Sequence, residues 1–272
     1  MKVYSFDIDH NLHLTNTPTY LEKFENNMRK PLSVDPSEWE KIKNGIDWKT
    51  LRFLNDDKDE SLDEFGDTGP RWREALLLDI LDGDIWPSHA HILQAVKEWQ
   101  IIRVNTARQA SSQTLRETYT KHIWDCLDEN WKQCTIQNIL SNYGHISFKK
   151  NNEQIWQEYM YRMDFYPVHN RDLERLMIHK FPDFLSTSGY QRKAYMIHHD
   201  ILLLEKYNPM QYTKKEDEWE YGHSDDQVWN LNAIAEEIQH MNKKGLIENF
   251  DKFVLWNTSD PDNVTKETIQ IW

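Results

Sequence analysis

The sequence predicts an α/β fold: a three-layer sandwich with a mainly parallel, helix-flanked central sheet and an inserted cap module. Three strand-like segments carry this reading. Val3-Tyr4-Ser5-Phe6 is an apolar run that opens onto Asp7, Ile8 and Asp9, and Ile101-Ile102-Arg103-Val104-Asn105 is a second run that ends on Thr106. The third, Trp219-Glu220-Tyr221-Gly222-His223-Ser224, ends on Asp225 and Asp226 and leads into Leu231, Ile234, Ile238 and Met241 at helical spacing. Short apolar runs followed by 3.6-residue periodicity read as strands alternating with helices, and that alternation implies a parallel sheet covered on both faces.

Along the chain, the first strand is followed by a long interruption. The next core helix is predicted to begin at Pro87-Ser88, with Ser88 as its cap and Ile92, Val96 and Trp99 as its apolar stripe. Residues 14–86 therefore read as an inserted cap, and residues 1–13 and 87–272 as the core domain. Within the insert, short helical candidates at 37–43 and 72–81 lie among turn-rich and acidic passages at 31–36 and 55–69. After the second strand, 111–140 reads as one helical block, and 154–165 fits strand or helix equally. A helix from Asn170 is expected to end at Lys180-Phe181-Pro182, because the residue before a proline disfavours helical backbone. Tyr190, Ala194, Ile197, Ile201 and Leu204 form the stripe of a further helix, and 252–256 is the expected final strand.

The strand ends carry the chemistry. Residues i and i+2 of an extended segment face the same way, so Asp7 and Asp9 can converge on one ligand while Ile8 packs behind them. Paired carboxylates repel unless a cation or a shared proton stands between them, so a bound metal is their natural companion. Asp-x-Asp also occurs in ordinary turns, and N-capping of the following helix by Ser224 or Asp225 is the plain explanation for one of the later aspartates. It does not explain both. In open α/β sheets, ligands bind beyond the carboxyl ends of the strands, where these three polar ends would meet.

Taken together, Asp7-x-Asp9, Thr106 after a hydrophobic strand, a later lysine and Asp225-Asp226 resemble the four motifs of the haloacid dehalogenase-like superfamily, over almost the whole chain from residue 3 to about 256. The resemblance implies a Rossmann-like core with a C1-type cap, and a Mg²⁺-dependent phosphatase working through an aspartyl-phosphate. Asp7 would be the nucleophile, Asp9 the acid and then the base, Thr106 a donor to the phosphoryl group, and Lys193 the cation that neutralises it. Lys180, Lys214 and Lys215 compete for the lysine role. Asp7, Asp9, Asp225 and Asp226 would surround Mg²⁺, with Asp225 as direct ligand, Asp226 as a second or water-mediated one, and Asn230 orienting that shell. His10, Asn11 and Arg108 would lie against the substrate. Asn11 departs from the usual Thr or Val at its position, and its amide is expected to supply the hydrogen bonds of that Thr. An acid at the position of Asp9 resembles the phosphatases rather than the dehalogenases or ATPases.

Composition narrows the partners. With a net charge of −13, the chain opposes nonspecific attraction to nucleic acid and anionic membranes. Arg103, Arg108, Arg116 and Lys121 cluster in sequence, but a solvated helix face explains them better than a nucleic-acid patch. No apolar run approaches the roughly 20 residues that span a bilayer, and no signal peptide precedes the first strand, so a cytoplasmic enzyme is expected. The two cysteines, Cys126 and Cys134, are expected to be buried small hydrophobes and argue against zinc. His89-x-His91 and His198-His199 lack a complete metal-ligand spacing, while His10 and His223 flank the acidic motifs. A small phosphorylated metabolite or nucleotide is the favoured substrate. The alternatives are a phosphorylated polynucleotide end and a catalytically silent, metal-binding scaffold.

Overall fold

A computed structural model of the chain describes residues 1–9, 11–14, 19–25, 28–34, 51–53, 84–107, 111–143, 146, 149–207 and 218–271. Its centre is a six-stranded sheet made of β1 (Lys2–Phe6), β7 (Ile101–Thr106), β8 (Asp164–Pro167), β9 (Glu220–Asp225), β10 (Lys252–Asn257) and β11 (Thr265–Gln270), in the order β11-β10-β9-β1-β7-β8. All neighbours pair in parallel except β10 and β11, which are antiparallel. Every residue of β7 and of β9 is buried, as expected of parallel strands covered on both faces. The molecule is thus a three-layer α/β sandwich with a largely parallel central sheet.

The chain builds this sheet outward from β1 in two directions. It passes through α1 (Pro87–Lys97) to β7, then through α2 (Ser112–Cys126), α3 (Glu129–Asn142) and α4 (Asn152–Tyr161) to β8. After α5 (Arg171–Met177) and α6 (Gly189–Lys206) it crosses to the other side of β1, enters β9, and reaches β10 through α7 (Val228–Lys243). Helices α1 to α4 pack among themselves, and α6 packs along α7. Because parallel crossovers are right-handed, connections that lead outward from β1 in opposite directions fall on opposite faces of the sheet. The reversal of direction makes the gap between β1 and β9 the topological switch point, where the strand ends leave a crevice for ligands.

One close approach in this sheet requires glycine. A Cβ at Gly222 of β9 would stand 2.4 Å from the Trp256 ring and 2.7 Å from that of Tyr4, so the side chains of β10 and β1 meet over its bare backbone. Their rings lie 6.0 Å apart.

Several local expectations are revised. The helix after Pro87 forms, but Ser88 does not cap it: Trp86 occupies the cap position without a side-chain hydrogen bond. The block at 111–140 is two helices, because Ser111 caps α2 through Thr114 N–H and Asp128 caps α3 through Trp131 N–H. Residues 154–165 contain both alternatives, the rest of α4 and the start of β8, after a capping box at Asn151 and Gln154. Pro31 to Val34, read as part of a turn, belong to the strand β4 (Met28–Val34). Strand β11 was not foreseen. Its side chains are largely exposed, so it lacks an apolar run. Both cysteines are exposed, because Cys126 and Cys134 fall on outer positions of α2 and α3.

Residues 14–86 are bracketed by a two-stranded antiparallel pairing of β2 (His13–Leu14) with β6 (Asp84–Ile85), with His13 opposite Ile85. Between them, β3 (Thr19–Glu25), β4 (Met28–Val34) and β5 (Leu51–Phe53) form an antiparallel sheet in the order β4-β3-β5. The helical candidates at 37–43 and 72–81 lie outside the described residues.

Candidate active site

Parallel register brings the three polar strand ends to one level. Phe6 lies opposite Val104 of β7 and Ser224 of β9, so Asp7, Thr106 and Asp225 emerge at the same edge of the sheet. Asp7 N–H donates to Ser224 O at 3.0 Å, which continues the β1–β9 ladder past the end of β1.

The fourth group comes from α6. Ser188 caps that helix through Gln191 N–H, and Lys193 lies in its first turns. Asn105 of β7 donates its amide to Lys193 O at 3.0 Å and fixes the helix start against the sheet. The Lys193 side chain is buried, with Nζ 2.8 Å from Asp7 Oδ2 and 2.8 Å from Asp225 Oδ2. Lys180 is elsewhere, its Nζ donating to His199 Nδ1 at 3.1 Å. Lys214, Lys215, His10 and Arg108 lie outside the described residues.

The two halves of the aspartate pair differ in their surroundings. Asp225 is fully buried, and its Oδ1 accepts Gln227 N–H at 2.9 Å and Asn230 Nδ2 at 2.8 Å. Its Oδ2 receives Lys193 and lies 3.5 Å from His223 Nε2. Burial alone would raise the Asp225 carboxyl, but the Lys193 ammonium and His223 outweigh it and hold the group well below the usual carboxylate range. Asp226 is half-buried next to it, and burial followed by the charges of Asp225 and Asp7 pushes its carboxyl well upward. Asp7 is raised to about 7, by burial first; Lys193 opposes this, while Asp225 and Asp9 add to it. One buried ammonium therefore faces an excess of carboxyl groups.

That excess, together with one orphaned atom, fits a cation. Carboxylate oxygens of Asp7, Asp225 and Asp226 lie within 4.8 Å of one another. Asp7 Oδ1 is buried and has no hydrogen-bond partner among the described residues. A buried, unpartnered carboxylate oxygen is costly unless a ligand completes it. Asp9 is half-buried and outside that three-residue group, and pairs across the loop with His13. Thr106 is fully buried at the end of β7. His223 is buried within β9, where burial depresses its ring.

Asn11 knits the site together from beneath. Its Nδ2 donates to Asp7 O at 2.9 Å, Ser224 O at 3.1 Å and Ser224 Oγ at 3.0 Å. Its Oδ1 accepts Ser88 Oγ and Thr258 Oγ1, each at 2.8 Å. A buried amide occupied at both ends is a clamp joining the β1 loop, β9, α1 and the turn after β10. Ser88 and Thr258 were invisible as site residues in the sequence, since lone hydroxyls 77 and 247 residues away from Asn11 carry no spacing signal. Asp225 does not cap α7. It accepts the N–H of Gln227, the cap residue itself, and Asn230 turns back to the same oxygen.

A second convergent group was also missed. His13, His89 and His122 are buried, and their ring nitrogens lie within 4.8 Å of one another. Arg103, grouped in sequence with Arg108, Arg116 and Lys121 on an expected solvated face, is instead buried and bonded to Asp200 at 2.8 Å. No family model, curated protein or solved structure matches this chain.

Proposed function

We propose that the chain is a Mg²⁺-dependent phosphomonoesterase of the haloacid dehalogenase-like kind, with Asp7 as nucleophile. The observation that carries this reading is the Lys193 bridge between Asp7 and Asp225 at the topological switch point of a parallel sheet. A nucleophilic carboxylate, a buried ammonium and an acidic pair at one strand edge are the parts that in-line phosphoryl transfer needs: a covalent acceptor and positive charge for the phosphoryl oxygens.

Asp7 attacks phosphorus through one oxygen while Lys193 fixes the other. The P–O bond to the leaving group breaks as the aspartyl-phosphate forms, and Asp9 delivers a proton to the departing oxygen. Asp9 then takes a proton from the water that hydrolyses the acyl-phosphate, which restores both carboxyls. Thr106 donates its hydroxyl to a phosphoryl oxygen. Asp7, Asp225 and Asp226 are the residues that would hold Mg²⁺, with Asp7 and Asp226 offering the freer oxygens, because Asp225 already accepts from Lys193, Gln227 and Asn230. When bound, the ion supplies charge neutralisation for the phosphoryl oxygens and the carboxyl excess, as a hard cation with oxygen ligands. Asp225 also orients Lys193. Residues 14–86, returning through the β2–β6 pairing, form the cap that selects a small phosphorylated substrate.

The test is release of inorganic phosphate from a panel of phosphorylated metabolites, nucleotides and oligonucleotide ends, with Mg²⁺ or EDTA. Wild type is expected to release phosphate only with the metal, and Asp7→Asn to lose roughly 10⁴-fold or more. Mg²⁺ at about 100 times its Kd is expected to add about 2.7 kcal/mol to folding stability, and Asp226→Asn to remove most of that gain. Full activity in Asp7→Asn would dismiss Asp7 as nucleophile. Mg²⁺ stabilisation with silence across the whole panel would favour the scaffold reading.

A further inference from the structure

The cluster at His13, His89 and His122 lies apart from the acidic group and is not used in the reaction proposed above. His13 belongs to β2, His89 to the first turn of α1 and His122 to the last turn and a half of α2. The three rings pack edge to face, with centroids 5.3 Å apart for His13–His89, 5.1 Å for His13–His122 and 5.0 Å for His89–His122. His89 Nε2 and His122 Nε2 approach to 2.8 Å. A fourth donor reaches the same atom: Cys126 Sγ stands 3.8 Å from His122 Nε2.

His122 and Cys126 are four residues apart, so one helix face presents both, as neighbouring turns of an α-helix do. Proton sharing explains the His89–His122 contact by itself. It gives no reason for a third imidazole to converge on the same point, with a thiol beside His122 one helical turn on. Four ligands about a tetrahedral zinc, at roughly 2.0–2.1 Å for nitrogen and 2.3 Å for sulfur, must stand some 3.3–3.6 Å from one another. The three imidazoles have ligand nitrogens within 4.8 Å of one another, His89 and His122 at 2.8 Å, while Cys126 Sγ stands outside that group at 3.8 Å from His122, so the ion requires the histidines to part slightly and the Cys126 side chain to turn toward them.

We propose that His13, His89, His122 and Cys126 form a structural site for a borderline-soft divalent metal, Zn²⁺ in the first instance. Three neutral imidazoles and one thiolate select zinc over magnesium, which prefers oxygen. The Cys126 thiol releases its proton to solvent as the metal–sulfur bond forms, and the exposure of this cysteine gives the ion a way in. The placement has a purpose in the fold. His13 is the residue before the chain leaves for 14–86, and His89 follows soon after its return, so the metal would staple both ends of that excursion to α2. It would also steady the loop on which Asp9 pairs with His13.

The decisive experiment is titration of chelator-treated full-length protein with Zn²⁺ and, separately, Co²⁺, in excess Mg²⁺ so that the carboxylate site is filled. Wild type is expected to bind one Zn²⁺, to melt at a higher temperature with it, and to give with Co²⁺ the intense visible bands of tetrahedral coordination plus a near-ultraviolet thiolate-to-cobalt band. His89→Ala and His122→Ala should each weaken binding by more than the roughly 10- to 100-fold that loss of an outer hydrogen-bonding partner costs. Cys126→Ser, an exposed change that leaves the core untouched, should abolish the thiolate band, and His91→Ala should change nothing. Failure of wild type to bind, octahedral cobalt spectra, or unaltered spectra in Cys126→Ser would each overturn the site.

Discussion

Lys193 shows how much one side chain can be asked to do. Burial disfavours its charge, yet Asp225 and Asp7 outweigh that effect and hold the ammonium protonated far above its ordinary range. Its removal leaves two buried carboxylates facing each other, so Lys193→Ala is expected to abolish phosphate release. Lys180→Ala, whose partner is His199, should leave kcat within a few-fold; the reverse order of effects would move the phosphate cation to another lysine. His199 yields a separate expectation. Burial first, and then the Lys180 ammonium, depress its ring, and the lysine donates to an unprotonated nitrogen. The folded pKa lies below the unfolded value of roughly 6.5, so this contribution to stability is fully present above that pH and is lost as pH falls from there through the depressed folded pKa. Urea midpoints at about pH 7.5 and about pH 5.5 should therefore differ less in His199→Gln than in wild type. An equal difference would show that His199 contributes nothing to the acid limb.

At the scale of elements, the site depends on strands held at close and fixed spacing. Gly222 allows β9 to sit between Tyr4 and Trp256, and both rings belong to neighbouring strands that must keep register for Asp7 and Asp225 to emerge together. A methyl group there overlaps aromatic carbon, so Gly222→Ala is expected to destabilise by about 1–3 kcal/mol and to lower activity through displaced strand ends. Denaturant unfolding measures the first effect, and an unchanged midpoint would mean that the rings yield freely. Asn11 acts at the same scale. The structure places its amide on Asp7 O and Ser224, and its carbonyl on Ser88 and Thr258, so four segments share one buried side chain. This explains an asparagine at that position without appeal to the substrate.

Across the whole molecule, a second buried charge ties the sheet to its helical layer. Asp200 of α6 accepts Arg103 Nε at 2.8 Å, Tyr166 OH at 3.0 Å and Tyr221 OH at 2.9 Å, linking β7, β8 and β9 through one carboxylate. Arg103 also reaches Asp164 at 3.1 Å. Buried pairs of this kind are not strongly stabilising against an apolar replacement, but breaking one side strands the other charge. Asp200→Asn is accordingly expected to cost roughly 3 kcal/mol or more, read as a lower urea midpoint. Because α6 also carries Lys193, the loss should lower activity even where the protein remains folded. A variant with wild-type stability would show that Arg103 is satisfied by Asp164 alone.

What the sequence determined by itself was the set of strands that carry chemistry and the nature of the groups at their ends. Apolar runs at 3–6 and 101–106, and the run into Asp225, mark strands because backbone periodicity is local, and the polar residues that stop them are visible in the same window. Lys193 could be singled out because the helical stripe around it is also local. Tertiary structure alone decided which lysine bridges the carboxylates, that Asp225 is engaged by Lys193 and Asn230 while Asp226 is half-buried beside it, and that Asn11 is a clamp. It also decided that β11, with few buried side chains, adds an antiparallel edge, and that His13, His89 and His122 meet. Each of these depends on residues brought together across tens to hundreds of positions by sheet register and helix packing. Local periodicity records which face a residue occupies but not which distant residue occupies the facing place.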